Sequence, residues 1–194
     1  VLNLGDNLYS LPVGIFGISF AVAVFPTLTE KYSLQKIDEF KQDVIETLRQ
    51  ILFLIVPTMM LYWLLRAQIV RLVLGSGQFG WEDTRFTVSV LAFLVFGMWA
   101  QAIVPLLARS FYALQDTKTP FFTSLMSLVI NVVLALALIP YYKVVGLAMA
   151  ISVSGIVNVL VLFIILQKKL NGLPIRNLLI LIAQILGGSL VMVA

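Results

Sequence analysis

The sequence contains no cysteine and no histidine. Without cysteine there is no disulfide framework and no thiolate chemistry. Without either residue the commonest zinc, iron and copper ligands are missing, as is the commonest general base. Charge is scarce too. Asp, Glu, Lys and Arg make up 11% of 194 residues, less than half the ~25% of soluble domains. Apolar residues reach 61%, against about 45–50% in soluble proteins. A soluble fold of this size has too little interior to hide that surface, so lipid is the solvent for most of it. The net charge of +4 comes from Lys and Arg gathered at the ends of apolar runs. They are not interleaved with aromatics on a polar face. That placement reads as membrane orientation and excludes a nucleic-acid partner.

A transmembrane helix needs roughly 20 mostly apolar residues. Six stretches qualify: Leu8–Leu28, Leu48–Leu72, Phe86–Leu114, Phe121–Ile139, Val145–Leu166 and Ile175–Val193. Backbone groups in lipid must be satisfied within the segment, so these are helices. The expected fold is all-α, a polytopic bundle of about six transmembrane helices. Residues 1–194 read as a single helical lobe truncated at both ends, because the chain starts on Val1 and stops within an apolar run. Val1–Leu28 is not a signal peptide: it lacks a basic start and carries Asp6 and two prolines.

Most connections are short and rich in turn residues, such as Gly75–Gly80, Gln115–Pro120 and Lys168–Pro174. Only Thr29–Thr47 is long. It sets Ile37, Phe40, Val44 and Leu48 at helical spacing among Lys36, Asp38, Glu39, Lys41, Asp43 and Glu46. That pattern predicts an amphipathic helix at the membrane surface, leading into the second span. Counting basic residues gives the orientation. Lys31, Lys36, Lys41, Arg49, Arg109, Lys118, Lys168, Lys169 and Arg176 fall on one side; Arg66, Arg71, Arg85 and Lys143 fall on the other. The richer side is cytoplasmic, so residues 29–47, 115–120 and 168–174 are cytoplasmic connections and the first span runs inward.

Polar residues inside spans are the functional candidates. Asn3, Asn7, Ser10, Gly14, Gly17 and Ala21 follow steps of three and four and share a helix face, with Asp6 beside it. Gly14, Gly17 and Ala21 suit close helix packing. Asn3, Asp6 and Asn7 suit the wall of a wet cavity, since ionisable groups in spans face water or a partner. In the third span Gln101, Pro105 and Arg109 are spaced by four. Arg109 either snorkels to headgroups or faces the interior as a bidentate anion contact. Arg66, at similar depth on the outer side, reads as snorkelling, and Arg49 as interfacial. The fourth span carries Ser124, Ser127 and Asn131 with Ala135 below; the fifth carries Gly146, Ala150, Ser154 and Asn158. Those positions suit packing and interhelical hydrogen bonds or, alternatively, substrate contacts. Pro57 and Pro105 permit kinks. Asp6 is the only carboxylate near a span interior, and no acid/base pair or Gly-rich nucleotide motif is present. The pattern implies no enzyme, no cofactor and no metal site.

Four stretches carry a resemblance. They are Gly5-Asp6-Asn7-Leu8-Tyr9-Ser10-Leu11-Pro12-Val13-Gly14-Ile15-Phe16-Gly17 with Phe25-Pro26-Thr27-Leu28; Gly77-Gln78-Phe79-Gly80-Trp81-Glu82-Asp83-Thr84; Ala108-Arg109-Ser110-Phe111-Tyr112-Ala113-Leu114-Gln115-Asp116-Thr117-Lys118-Thr119-Pro120; and Asn131-Val132-Val133-Leu134 with Gly146-Leu147-Ala148-Met149-Ala150. Together they resemble the MurJ/MviN family, the lipid II flippases of the multidrug/oligosaccharidyl-lipid/polysaccharide exporter superfamily. The third is the most specific, because a charged loop in that order is not a generic membrane pattern.

The resemblance covers nearly the whole chain and implies helices eight to thirteen of about fourteen, mostly the C-terminal lobe of a flippase. It implies a multi-pass protein of the bacterial inner membrane that moves undecaprenyl-pyrophosphate-linked disaccharide-pentapeptide outward by alternating access. Membrane lipids and the N-terminal lobe of the same protein would be its other partners. The substrate-cavity residues implied are Asn3, Asp6, Asn7, Ser10, Gln101 and Arg109, with Ser127 and Asn131 as possible ion or polar helix contacts. Asn7 stands where the family motif has Arg, so that contact with pyrophosphate loses its charge. Ala135 offers no carboxylate beside Asn131, which argues against sodium coupling. Two other readings stand beside the flippase: a transporter of another lipid-linked saccharide or small molecule, and a non-transporting flippase-like scaffold.

Overall fold

The computed structural model describes the backbone at residues 10–74 and 81–173, and side chains at 10–70 and 87–173. These residues form five long helices: α1, Ser10–Ser33; α2, Ile37–Leu74; α3, Trp81–Ala113; α4, Lys118–Tyr142; and α5, Val144–Lys169. All five are long and apolar enough to cross a membrane. The all-α expectation holds. The sixth expected span, Ile175–Val193, lies outside the described residues.

The helices start and stop for local reasons. α1 ends in a Schellman turn: Lys36 N–H donates to Lys31 C=O, Gln35 N–H donates to Tyr32 C=O, and Gln35 takes a left-handed φ of 57°. The same pair of bonds closes α3 around Gln115 (φ 58°) and α5 around Asn171 (φ 52°). In each case the turn satisfies carbonyls that a helix end would leave open. α4 and α5 are joined by Lys143 alone, at φ 51° and ψ −129°, a conformation that side-chain-bearing residues rarely adopt.

The long connection between the first two spans is mostly helix. Thr29–Ser33 belongs to α1, residues 34–36 make the turn, and α2 runs unbroken from Ile37 through the second span. Its 38 residues measure about 57 Å at 1.5 Å each, well beyond a ~30 Å hydrocarbon core. The amphipathic pattern works as its spacing predicts. Phe40, Val44 and Leu48 are fully or nearly buried, while the charged face ties back to α1 through Lys31, 2.7 Å from Asp43 and 3.7 Å from Glu39. The prolines at 26, 57 and 105 sit inside helices that continue through them.

α3 is the centre of the bundle. It packs against α1, α2 and α5, whereas α4 packs mainly on α5. Leu91, Leu94, Val95, Met98, Leu106, Leu107 and Phe111 of α3 are all buried. Burial at this density marks a helix with neighbours on most sides, although Phe93, Phe96 and Tyr112 remain exposed. α4 instead leaves Phe121, Phe122, Leu125, Leu128, Val132 and Leu136 exposed, as suits a helix bordering lipid.

Candidate functional site

The polar stripe of the first span divides at its midpoint. Asn3, Asp6 and Asn7 lie outside the described residues. Ser10, the first described residue of α1, is exposed. Below it, Val13–Ile18 forms a π-helical segment. Gly17 then meets α3: a Cβ there would stand 2.6 Å from the Ala102 carbonyl oxygen. Ala21 is also fully buried. Gly17 and Ala21 thus form a packing seam, where a missing side chain lets two backbones approach; Gly14, expected to pack with them, has nothing among the described residues within 4 Å of a Cβ.

Gln101 and Arg109 diverge. Gln101 is half-buried and lies over Gly155 of α5, where a Cβ would be 3.0 Å from its Nε2. Arg109 is half-buried on the side of α1, with its guanidinium carbon 5.9 Å from the centre of the Phe25 ring. Steps of four lag a 3.6-residue turn by about 40° each, so two steps carry Arg109 roughly 80° around α3. No carboxylate among the described side chains lies within 4 Å of Arg109. Its cation rests against an aromatic face about 6 Å, or four residues, from the end of α3.

Ser127 and Asn131 are brought together with Ser154. Ser127 Oγ donates to the Ser154 carbonyl at 2.9 Å, and Asn131 Nδ2 donates to Ser154 Oγ at 3.2 Å. Ser154 Oγ in turn donates to the Ile151 carbonyl. These bonds tie α4 to α5, which is the polar helix contact that the sequence allowed. Another tie joins α5 to α3, where Ser152 Oγ donates to the Phe93 carbonyl at 2.7 Å. Asn158, one turn beyond Ser154, is 8% exposed, and its Oδ1 has no hydrogen-bond partner among the described residues. An orphaned acceptor in a helix seam is costly.

Asp116 is a site residue that sequence reasoning used only as part of a motif. Its carboxylate accepts from the Thr119 backbone N–H at 3.0 Å and from Thr119 Oγ1 at 2.8 Å, in the first turn of α4. It also pairs with Lys169 at the end of α5. Lys169, then the Thr119 backbone N–H, holds the carboxyl down at about 2 from its ordinary 3.8. One side chain therefore joins the ends of α3, α4 and α5. The signal was present in Asp116-Thr117-Lys118-Thr119, where an acid precedes a helix start by the capping distance.

A groove of about 420 Å³ runs between α1 and α2, lined by Phe20, Thr27, Asp43, Glu46 and Gln50 among others. Its acidic wall has the wrong sign for an anionic ligand. Among the described residues no group of His, Cys, Asp and Glu is placed to hold a metal ion.

Comparison with known proteins fits this arrangement. The family model described as "Lipid II flippase MurJ" matches residues 1–194. Among curated relatives, the probable lipid II flippase MurJ of Rhizobium tropici is 29% identical over 168 residues, covering 87% of this chain and 32% of that protein. That of Vibrio cholerae is 31% identical over 163 residues, covering 84% of this chain and 31% of the relative. The lipid II flippase MurJ of Thermosipho africanus is 27% identical over 178 residues, covering 92% and 36%. A solved structure described as "Lipid II flippase MurJ, inward closed conformation" superposes with a TM-score of 0.84 at 26% identity, covering 98% of this chain and 39% of that one. The chain spans about a third of the length of these relatives. It belongs to the lipid II flippase MurJ family.

Proposed function

We propose that this chain is the greater part of the C-terminal lobe of a flippase that moves lipid II from the inner to the outer leaflet of a bacterial cytoplasmic membrane. The observation that carries this reading is the family match along all 194 residues, on a fold shared with a flippase structure. The site chemistry agrees with it. The substrate head group is large, polar and anionic, so it crosses only in a hydrated, cationic cavity, while its lipid tail stays in the bilayer. Arg109, half-buried and without a carboxylate partner among the described side chains, supplies a cation at the cytoplasmic end of α3. Asn3, Asp6, Asn7 and Ser10 would line the path above it, whereas Gln101 turns to Gly155 of α5. No bond is made or broken, in keeping with the absence of histidine and of an acid/base pair. The N-terminal lobe of the same protein would form the opposite wall, and alternating access would follow from one lobe rocking against the other.

The test uses the full-length protein in vesicles loaded with fluorescent lipid II. Wild type is expected to expose the lipid to an externally added modifying enzyme. Arg109→Gln and Asn7→Leu are expected to slow this roughly tenfold, about the 1.4 kcal/mol of one charge-assisted hydrogen bond. Normal insertion with no translocation, and no rescue of cells depleted of their own flippase, would overturn the assignment. Asn7 in place of the family Arg favours a second substrate class, another lipid-linked saccharide. Faster movement of a monophosphate-linked lipid than of lipid II would establish it.

A further inference from the structure

A groove of about 450 Å³ opens between α2 and α3 near the end of the bundle opposite Asp116 and Lys169. That volume falls within the usual range for small-ligand sites. Trp63 and Arg66 of α2 and Ala92, Phe93 and Phe96 of α3 are among the residues that line it. The Arg66 guanidinium stacks over the Trp63 ring at 4.6 Å and spends one N–H on the Trp63 carbonyl at 3.3 Å. A guanidinium has five N–H donors, so most of its fork stays available. No carboxylate among the described side chains lies within 4 Å of it. The rest of the wall is aromatic and opens sideways: Phe96 is 63% exposed, and Leu64 and Leu65 beside Arg66 are exposed too.

Depth decides what fills such a groove. Towards its outer end α2 next carries a charge at Arg71, so Arg66 sits five residues, about 7–8 Å, inside that level. Trp63 lies roughly one turn deeper. That is the level of headgroup phosphates, where tryptophan and arginine anchor membrane helices. Simple snorkelling would carry Arg66 away from the apolar wall towards water. Here its cation is instead stacked on Trp63 and held to the α2 backbone, at the mouth of a groove whose walls suit an acyl chain.

We propose that this groove is a binding site for an anionic phospholipid of the surrounding bilayer, its phosphate on the Arg66 fork and one acyl chain along Phe93 and Phe96. The site is separate from the proposed substrate path. Phe96 and Arg109 are thirteen residues apart on α3, roughly 20 Å along its axis, and Arg109 faces Phe25 of α1 instead. A zwitterionic headgroup would bring its own cation towards Arg66. The preference for a net negative lipid should therefore be about fivefold, what one arginine near anionic lipid is worth.

The experiment is native mass spectrometry of the full-length protein mixed with equal phosphatidylglycerol and phosphatidylcholine. Wild type is expected to retain phosphatidylglycerol about fivefold over phosphatidylcholine. Arg66→Gln is expected to bring that ratio close to one, and Arg49→Gln, which removes an exposed cation elsewhere, to leave it unchanged. A second measurement reads proximity. The tryptophan emission that Trp63→Phe removes should be quenched more by chain-brominated phosphatidylglycerol than by chain-brominated phosphatidylcholine. Equal retention of both lipids by wild type, or an undiminished preference in Arg66→Gln, would overturn the proposal. So would displacement of phosphatidylglycerol by undecaprenyl pyrophosphate at lower concentration than by phosphatidylglycerol itself, since the groove would then belong to the substrate.

Discussion

Replacing Asp116 by Ala should destabilise the protein by about 2 kcal/mol, and the loss should disappear at low pH. Two contacts with Thr119 go with the side chain; a helix-start acceptor is typically worth about 1 kcal/mol. The pair with Lys169 goes as well. Lys169 is 39% exposed, so solvent screening holds that part to about 1 kcal/mol or less. Proton linkage gives a similar figure. The folded carboxyl titrates at about 2 and the ordinary one at 3.8, a gap worth roughly 2 kcal/mol before screening. The folded value is the lower one, so the stabilisation is complete above 3.8 and is lost as pH falls through about 2. Equilibrium unfolding of the full-length protein in mixed micelles, at pH 7 and at steps from 4 to 2, measures both effects. Asp116→Asn keeps an acceptor for Thr119 and should lose about half as much. Lys169→Met should lose no more than about 1 kcal/mol, and combining it with Asp116→Ala should add almost nothing. A difference below about 0.5 kcal/mol at pH 7 would refute the reasoning. So would one that persists undiminished at pH 2.

Lys143→Gly should stabilise the protein by about 1 kcal/mol in the same assay, because φ 51° and ψ −129° strain a residue with a Cβ and suit glycine; any destabilisation would mean that the lysine side chain outweighs the strain. Asn158→Leu should be neutral or stabilising by up to about 1 kcal/mol, since it removes a buried acceptor that has no partner among the described residues. A loss of stability there would show that Oδ1 is satisfied in the whole protein, and a fall in translocation alone would place it on the substrate path.

How much was legible depended on whether a property was local or pairwise. Helix type and the five described spans followed from run length, because lipid leaves the backbone no alternative. The buried face of residues 37–48 followed from its period, and Phe40, Val44 and Leu48 are where that period puts them. What the spacing missed was the direction each polar residue faces. Gln101 and Arg109 look collinear at steps of four, yet one meets α5 and the other α1, because the lag per turn accumulates. The length of α2 was also hidden: nothing in Ile37–Leu48 separates a surface helix from the first turns of a span. The Asp116 clasp joins residues 53 apart in the chain, and only its Thr119 half is visible in the sequence. The place of Ser154 in its stripe suits packing or an interhelical hydrogen bond, and the structure shows the bonds, to Ser127 and Asn131.

The π-helical segment Val13–Ile18 lies where α1 changes role. Below it Ala21 and Leu28 are fully buried, and Gly17 at its lower end is locked against the Ala102 backbone. Above it Ser10 is exposed, and the stripe continues towards Asn7, Asp6 and Asn3. A π segment has wider, poorer hydrogen-bond geometry than the α-helix around it and often sits at functional positions. Among the described residues nothing lies within 4 Å of a Cβ placed on Gly14, whereas Pro12 is buried and Val13 and Phe16 pack against the core. A tilt of the upper half of α1 would use the open side at Gly14 and release Val13 and Phe16 from the core, while α3 holds the lower half. If that tilt serves transport, amide exchange in the full-length protein should be faster at residues 13–16 than at 20–28, and substrate should slow it at 13–16 alone. Equal protection along α1, or slowing by substrate throughout, would mean that α1 moves with α3 as one rigid unit.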